Sequence, residues 1–191
     1  MRRKVKIAFA VAVAATGLLI SQLPAVAAGR PVFQMPFPCG QTWRAYTHSG
    51  HAYPLAQLDW GQPPSSGKRV VASASGTVVG SGVYNDGVSY VLVDHGSGWQ
   101  SRYLHMQTGS LARVGTWVDA GDPIGQVGDV GSAGAYHLHY EQRLNGIPQA
   151  VLLDGQPVTY RYYPNYATYT SQNCGSGGGS SSTRGDVTGD G

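Results

Sequence analysis

Glutamate is almost missing from this sequence: it occurs once, at Glu141, in 191 residues. There is no His-Glu-x-x-His element, which removes the helix-borne zinc site with a glutamate base. Cysteine occurs only at Cys39 and Cys174, without Cys-x-x-Cys spacing, so a thiolate metal knuckle is disfavoured. Beyond residue 28 no apolar pattern of helical period is sustained, and 28 glycines and 11 prolines are spread through the chain, which argues against long helices.

What is present begins with an address. Arg2, Arg3, Lys4 and Lys6 precede an apolar run from Ile7 to Ile20, and Ala25-Val26-Ala27-Ala28 offers small residues at cleavage spacing. That order reads as a secretory signal peptide over 1–28, with twin-arginine export ranked second to the general route. The apolar run is too short for a comfortable transmembrane span, so no membrane span is expected after its removal. Four of the 13 basic residues leave with the signal, and the remainder falls one short of the 10 acidic residues. A near-neutral chain gives no electrostatic case for nucleic acid. In an extracellular setting the two cysteines are expected to pair, tying the start of the domain to its end. Closing so long a loop is worth about 4–5 kcal/mol in the chain-entropy model.

Short β-rich runs dominate the rest: Val70 to Val79, Ser89 to Val93, Trp99 to His105, Val114 to Val118, Pro123 to Val127, Ala135 to Arg143 and Val158 to Tyr163. Asn85-Asp86-Gly87, Gly96-Ser97-Gly98 and Asn145-Gly146 supply turns. The expected fold is all-β, a small antiparallel sandwich or open barrel over 29–174. Residues 175–184 are a Gly/Ser-rich linker. Residues 185–191 resemble the start of a truncated calcium-binding repeat, but its two aspartates fall short of the six or so oxygen ligands that Ca2+ takes.

All six histidines, His48, His51, His95, His105, His137 and His139, fall within one segment. His137-Leu138-His139 puts two imidazoles on one face of a strand, where one can bind a metal while the other faces substrate. The same pattern also occurs as two packed or surface histidines. His51 and Asp59 lie eight apart, and Asp59 sits between Leu58 and Trp60. A carboxylate in that apolar setting needs a partner, and a metal is one; capping the turn before Gly61 is the plainer alternative. Tyr103-Leu104-His105 ends a strand that is expected to carry Tyr103 and His105 on one face. Together these pieces suit a catalytic Zn2+ site with ligands His51, Asp59 and His139 and an open fourth position. With no glutamate placed as base, His105 and His137 are the spare groups for proton transfer. His48 is the alternative first ligand, and His95 reads as structural.

The pattern resembles the lysostaphin/β-lytic (LytM-like) zinc peptidases. The matching pieces are His51…Asp59, Tyr103-Leu104-His105, His137-Leu138-His139-Tyr140-Glu141, Asp94-His95-Gly96-x-Gly98 and the glycine-spaced run from Val114 to Gly128. They span about Phe37 to Glu141. The eight-residue His…Asp gap is nearer the family's longer-spaced branch. The resemblance implies zinc ligands His51, Asp59 and His139, a catalytic pair His105 and His137, and a groove with the metal on its floor. It implies a monomeric, secreted endopeptidase acting on peptide stems or cross-bridges of peptidoglycan. Three other readings compete. D-Ala-D-Ala carboxypeptidases carry a glutamate before the last histidine ligand, whereas Glu141 follows His139. The others are a non-catalytic wall-binding module on the same scaffold and a general secreted protein-processing zinc protease.

Overall fold

The structure, a computed structural model, describes residues 29–175. The expected signal peptide, the linker beyond Gly175 and the calcium-repeat-like segment lie outside the described residues. No helix among the described residues is long and apolar enough to cross a membrane.

The chain is built from β1 (Thr42–Tyr46), β2 (Gln57–Gly61), β3 (Arg69–Val71), β4 (Gly76–Val83), β5 (Ser89–Asp94), β6 (Trp99–Leu104), β7 (Trp117–Val118), β8 (Pro123–Gln126), β9 (Leu138–Leu144), β10 (Ile147–Gln149), β11 (Leu152–Leu153), β12 (Gln156–Pro157) and β13 (Ala167–Thr170). A single turn of 3-10 helix covers Thr108–Ser110. The main sheet runs β13-β1-β2-β9-β6-β5-β4-β7, with β10 beside β9. β3 pairs β8 and β11 pairs β12 in two small sheets. Every ladder between named strands is antiparallel, and the main sheet stays open rather than closing into a barrel. The all-β expectation therefore holds.

The strand bounds differ in instructive places. The run Val70 to Val79 is two strands, β3 and β4, because Ala72–Ser75 leave one sheet for the other. Val158 to Tyr163 forms no strand, and β1, β2 and β13 had no clear alternating signal in the sequence. Asp59 lies inside β2 rather than capping a turn.

One face of the main sheet makes the core. Leu58 pairs with Tyr140, Tyr140 with Tyr103, and Trp60 with Leu138, and all five are fully buried. Phe37 stacks on Trp43 at 3.6 Å. Val70 and Ile124 of the small sheet belong to the same cluster, so that sheet covers this face. The two buried tyrosine hydroxyls are satisfied: Tyr103 and Tyr140 both reach Ser73 Oγ, at 2.8 and 2.9 Å. Cys39 and Cys174 are disulfide-bonded and join the two ends of the domain.

Candidate metal centre

β9 lies between β2 and β6, and register alone assembles the site on the other face of the sheet. Asp59 pairs with His139, and His139 with Leu104; one pleat along, Gln57 pairs with Glu141, and Glu141 with Arg102. Side chains two apart share a face. Gln57, Asp59, Arg102, His139 and Glu141 therefore stand together, opposite the core residues of the same strands.

His51 arrives from the loop between β1 and β2. Its Nδ1 lies 2.9 Å from the hydroxyl of buried Thr47, and its Nε2 lies 3.2 Å from Asp59 Oδ1. His139 Nδ1 is 3.1 Å from Asp59 Oδ1 and 3.1 Å from His51 Nε2. Its other nitrogen, Nε2, is 3.1 Å from Glu141 Oε1. Three donor atoms on a tetrahedron with bonds of about 2.0–2.2 Å sit about 3.3–3.6 Å apart. The triangle of His51, Asp59 and His139 is close to that size.

The tautomers sharpen the point. Acceptance by the Glu141 carboxylate fixes the N–H of His139 on Nε2, and the Thr47 hydroxyl, as acceptor, would place that of His51 on Nδ1. Neutral rings so arranged turn two nitrogen lone pairs and a carboxylate oxygen at one another, with no donor among them. Such a group needs a cation. A proton on His139 is one answer: burial works against that charge, but Asp59 and Glu141 hold its pKa above the ordinary value. Burial likewise opposes the charge of Asp59, yet hydrogen bonds from His139 and His51 keep it far below the usual carboxylate range. A divalent metal satisfies all three atoms at once, and the donor set, two imidazoles and a carboxylate, suits zinc.

Glu141 is the centre of the supporting layer. It is fully buried. It accepts hydrogen bonds from Gln57 Nε2 and Arg102 Nη2, each at 2.5 Å, and Arg143 Nε lies 3.4 Å away. Burial pushes its pKa up, but His139 and Arg102 outweigh this and hold it down at about 2.

His48 also reaches the site. Its Nε2 is 3.3 Å from Asp59 Oδ2, and the ligand atoms of His48, His51 and Asp59 all lie within 4.8 Å of one another. His48 is much more exposed than His51, and it contacts the far oxygen of Asp59. The tighter triangle takes His139 in its place.

His105 and His137 line the rim of the same groove, a cavity of ≈ 390 Å³. Strict alternation would send His105 to the core with Ser101 and Tyr103, so the expectation that Tyr103 shares its face is corrected: Tyr103 is buried on Ser73. The chain avoids this because His105 takes φ +67°, a left-handed conformation costly for a residue with a Cβ. Gly128 makes room for that kink: a Cβ there would come within 2.8 Å of His105 O and Gln107 N. His137 lies just before β9 and bridges to Gly128. The two rings are 4.7 Å apart, and His137 Nε2 is 3.6 Å from Asp59 Oδ1. Each donates Nδ1–H to a main-chain carbonyl, His105 to Val130 at 2.9 Å and His137 to Ala135 at 2.7 Å. Both therefore keep Nε2 free to accept a proton. Burial, then the neighbouring His137 and His139, push the His105 pKa down to about 4. His95 is elsewhere, held by Ser75 O and Ser101 Oγ.

The family described as peptidase family M23 matches residues 58–151. Residues 58–151 form a peptidase family M23 domain. The chain is 33% identical over 111 residues to the DD-carboxypeptidase/endopeptidase Mpg of Neisseria meningitidis serogroup B, covering 58% of this chain and 23% of that protein. It is 35% identical over 82 residues to the peptidoglycan DD-endopeptidase ShyA of Vibrio cholerae, covering 43% of this chain and 19% of that protein. The chain thus spans less than a quarter of the length of these two curated relatives. Its fold is similar to that of pseudoalterin, an M23 metalloprotease from the deep sea, with a TM-score of 0.53, 19% identity, and coverage of 65% of this chain and 79% of that chain.

The M23 match includes Asp59, His105, His137 and His139, while His51 lies before it. Sequence reasoning missed Thr47, Gln57, Arg102 and the part played by Glu141. The lone glutamate, two residues after His139, was the available signal: on a strand that spacing puts both side chains on one face.

Proposed function

We propose that this M23 domain is a secreted zinc metalloendopeptidase that hydrolyses peptide bonds in bacterial peptidoglycan. The observation that carries the reading is the buried triangle of His51 Nε2, Asp59 Oδ1 and His139 Nδ1, with edges of 3.1–3.2 Å. Those three residues would hold the metal. When bound, zinc supplies a Lewis acid for the scissile carbonyl and lowers the pKa of a water toward neutrality. His105 and His137 do the proton work. Their free Nε2 atoms take a proton from the attacking water and return one to the leaving amine. As imidazolium, either ring also stabilises the negative charge that develops on the tetrahedral carbon's oxygen. Glu141 keeps His139 in the tautomer that presents Nδ1. Peptidoglycan is the substrate class by likeness to ShyA, whose description names it. Residues 29–174 are the catalytic unit, which acts as a monomer after removal of 1–28.

Purified protein should contain zinc in equal molar amount and should clear a suspension of bacterial cell walls. Stoichiometric zinc without clearing would instead identify a wall-binding module. Clearing that survives complete removal of metal would sink the metallopeptidase reading.

A further inference from the structure

Beside the metal groove the same sheet face carries a second cleft that the chemistry above does not use. In the β1–β2 ladder Tyr46 pairs with Asp59 and Arg44 with Gly61. The face that bears Asp59 thus continues onto β1. Gly61 places no side chain there, and the ring of Tyr46 lies over it. The result is a cleft of ≈ 350 Å³ whose walls include Arg44, Tyr46, Gln62, Tyr136, Tyr163 and Tyr166. Its size falls within the range of about 300–1,000 Å³ usual for small-molecule sites. It abuts the groove at Tyr46, which pairs with Asp59, and at Tyr136, which precedes His137.

Tyrosines in β-rich segments most often serve sheet packing. Tyr160 and Tyr169 do pack against the core. Tyr163 is 69% exposed, Tyr166 46% and Tyr136 45%. Exposed aromatic clusters of this kind mark contact surfaces. The arrangement is ordered: Tyr163 lies 5.5 Å from Tyr46, and the Arg44 guanidinium sits 4.5 Å from the Tyr166 ring centre. One polar atom is left over. Gln62 Oε1 is buried and has no hydrogen-bond partner among the described residues. A buried acceptor without a donor carries a desolvation cost, which the Gln62 side chain, part of the cleft wall, would relieve by turning toward a donor there.

We propose that this cleft binds the glycan strand of the wall polymer, a chain of N-acetylated hexosamines, next to the peptide that is cut. The proposal rests on the peptidoglycan reading above. A pyranose ring has an apolar face of C–H groups and a rim of hydroxyls. Tyrosines offer the matching surface, a flat ring with a polar handle. An acetamido N–H supplies a donor for Gln62 Oε1 once that side chain turns into the cleft. No carboxylate lines the cleft, and its one cation is already engaged with Tyr166, so a charged peptide finds little to pair with.

The test is an NMR titration of the full secreted chain with a peptide-free N-acetylglucosamine oligosaccharide. Ring signals of Tyr136, Tyr163 and Tyr166 should move. Replacing Tyr163 and Tyr166 together by alanine should weaken binding by about ten-fold or more, while Tyr163→Phe, which keeps the ring, should bind nearly as well. The same double variant should lose activity on intact walls relative to a glycan-free peptide substrate. Oligosaccharide binding in a protein that cuts no wall would uphold the glycan cleft and refute the peptidase reading. Tyrosine signals that stay still, or a double variant that binds as the wild type does, would overturn the proposal.

Discussion

Glu141 Oε1 lies 3.1 Å from His139 Nε2, and this contact between residues two apart on β9 sets which nitrogen of His139 faces Asp59. Glu141→Gln keeps the size but weakens the acceptor and permits a flipped amide. Loss of such a partner typically costs about 10- to 100-fold in metal affinity. Competition with a fluorescent zinc chelator measures it, and unchanged affinity would remove Glu141 from its positioning role.

The same residue predicts a pH effect on stability. The folded pKa of Glu141 is held down at about 2, below its usual value near 4.5. A depressed carboxylate stabilises the fold above the unfolded pKa, and that contribution is lost as pH falls toward about 2. The shift corresponds to about 3 kcal/mol at most. Unfolding of metal-free protein by urea, followed from pH 6 to pH 2.5, should show a shallower loss of stability for Glu141→Gln than for wild type.

His51 and His48 compete for one role, and geometry separates them. His51 is buried against Asp59 Oδ1, whereas His48 is the more exposed and reaches Oδ2. His51→Ala should purify without zinc. His48→Ala should keep it, with affinity reduced by less than about ten-fold. The reverse pattern in metal analysis would exchange the two assignments.

His105→Ala and His137→Ala should retain zinc and lose about 100- to 10,000-fold in kcat, the usual range for a proton-transferring group. His105 is neutral above its pKa of about 4, so the base form is present through neutral pH and is lost only as pH falls through that value. Activity close to wild type in either variant, on a peptide substrate at pH 7, would end its catalytic assignment.

Breaking the Cys39–Cys174 bond should destabilise the domain without touching the groove. The linked residues are 135 apart in sequence, for which the chain-entropy model gives about 4–5 kcal/mol. Thermal unfolding of the double alanine variant should show a lowered Tm with zinc still bound.

How much of this was legible in the sequence follows from where each residue sits. His51, Asp59, His105, His137 and His139 were picked by spacing and residue type, and the structure gathers all five around one groove. Gln57 and Arg102 carry no local signal, because they matter only through their register with Glu141 on β9. His105 was misoriented in the sequence reading, since period-two alternation cannot foresee a left-handed residue at a strand end. The split of β3 from β4 was missed for a related reason: an apolar run does not reveal where it changes sheets. The exposed tyrosines have no signal of their own in the sequence, because residue type alone does not report burial.

The most direct test is mass spectrometry of a purified cross-linked wall fragment after incubation with the zinc-loaded protein. Expected are two products whose masses sum to the substrate plus one water, one bearing a new free amine, with no products after His139→Ala. An intact fragment in the presence of fully zinc-loaded wild type would contradict the proposed peptidase.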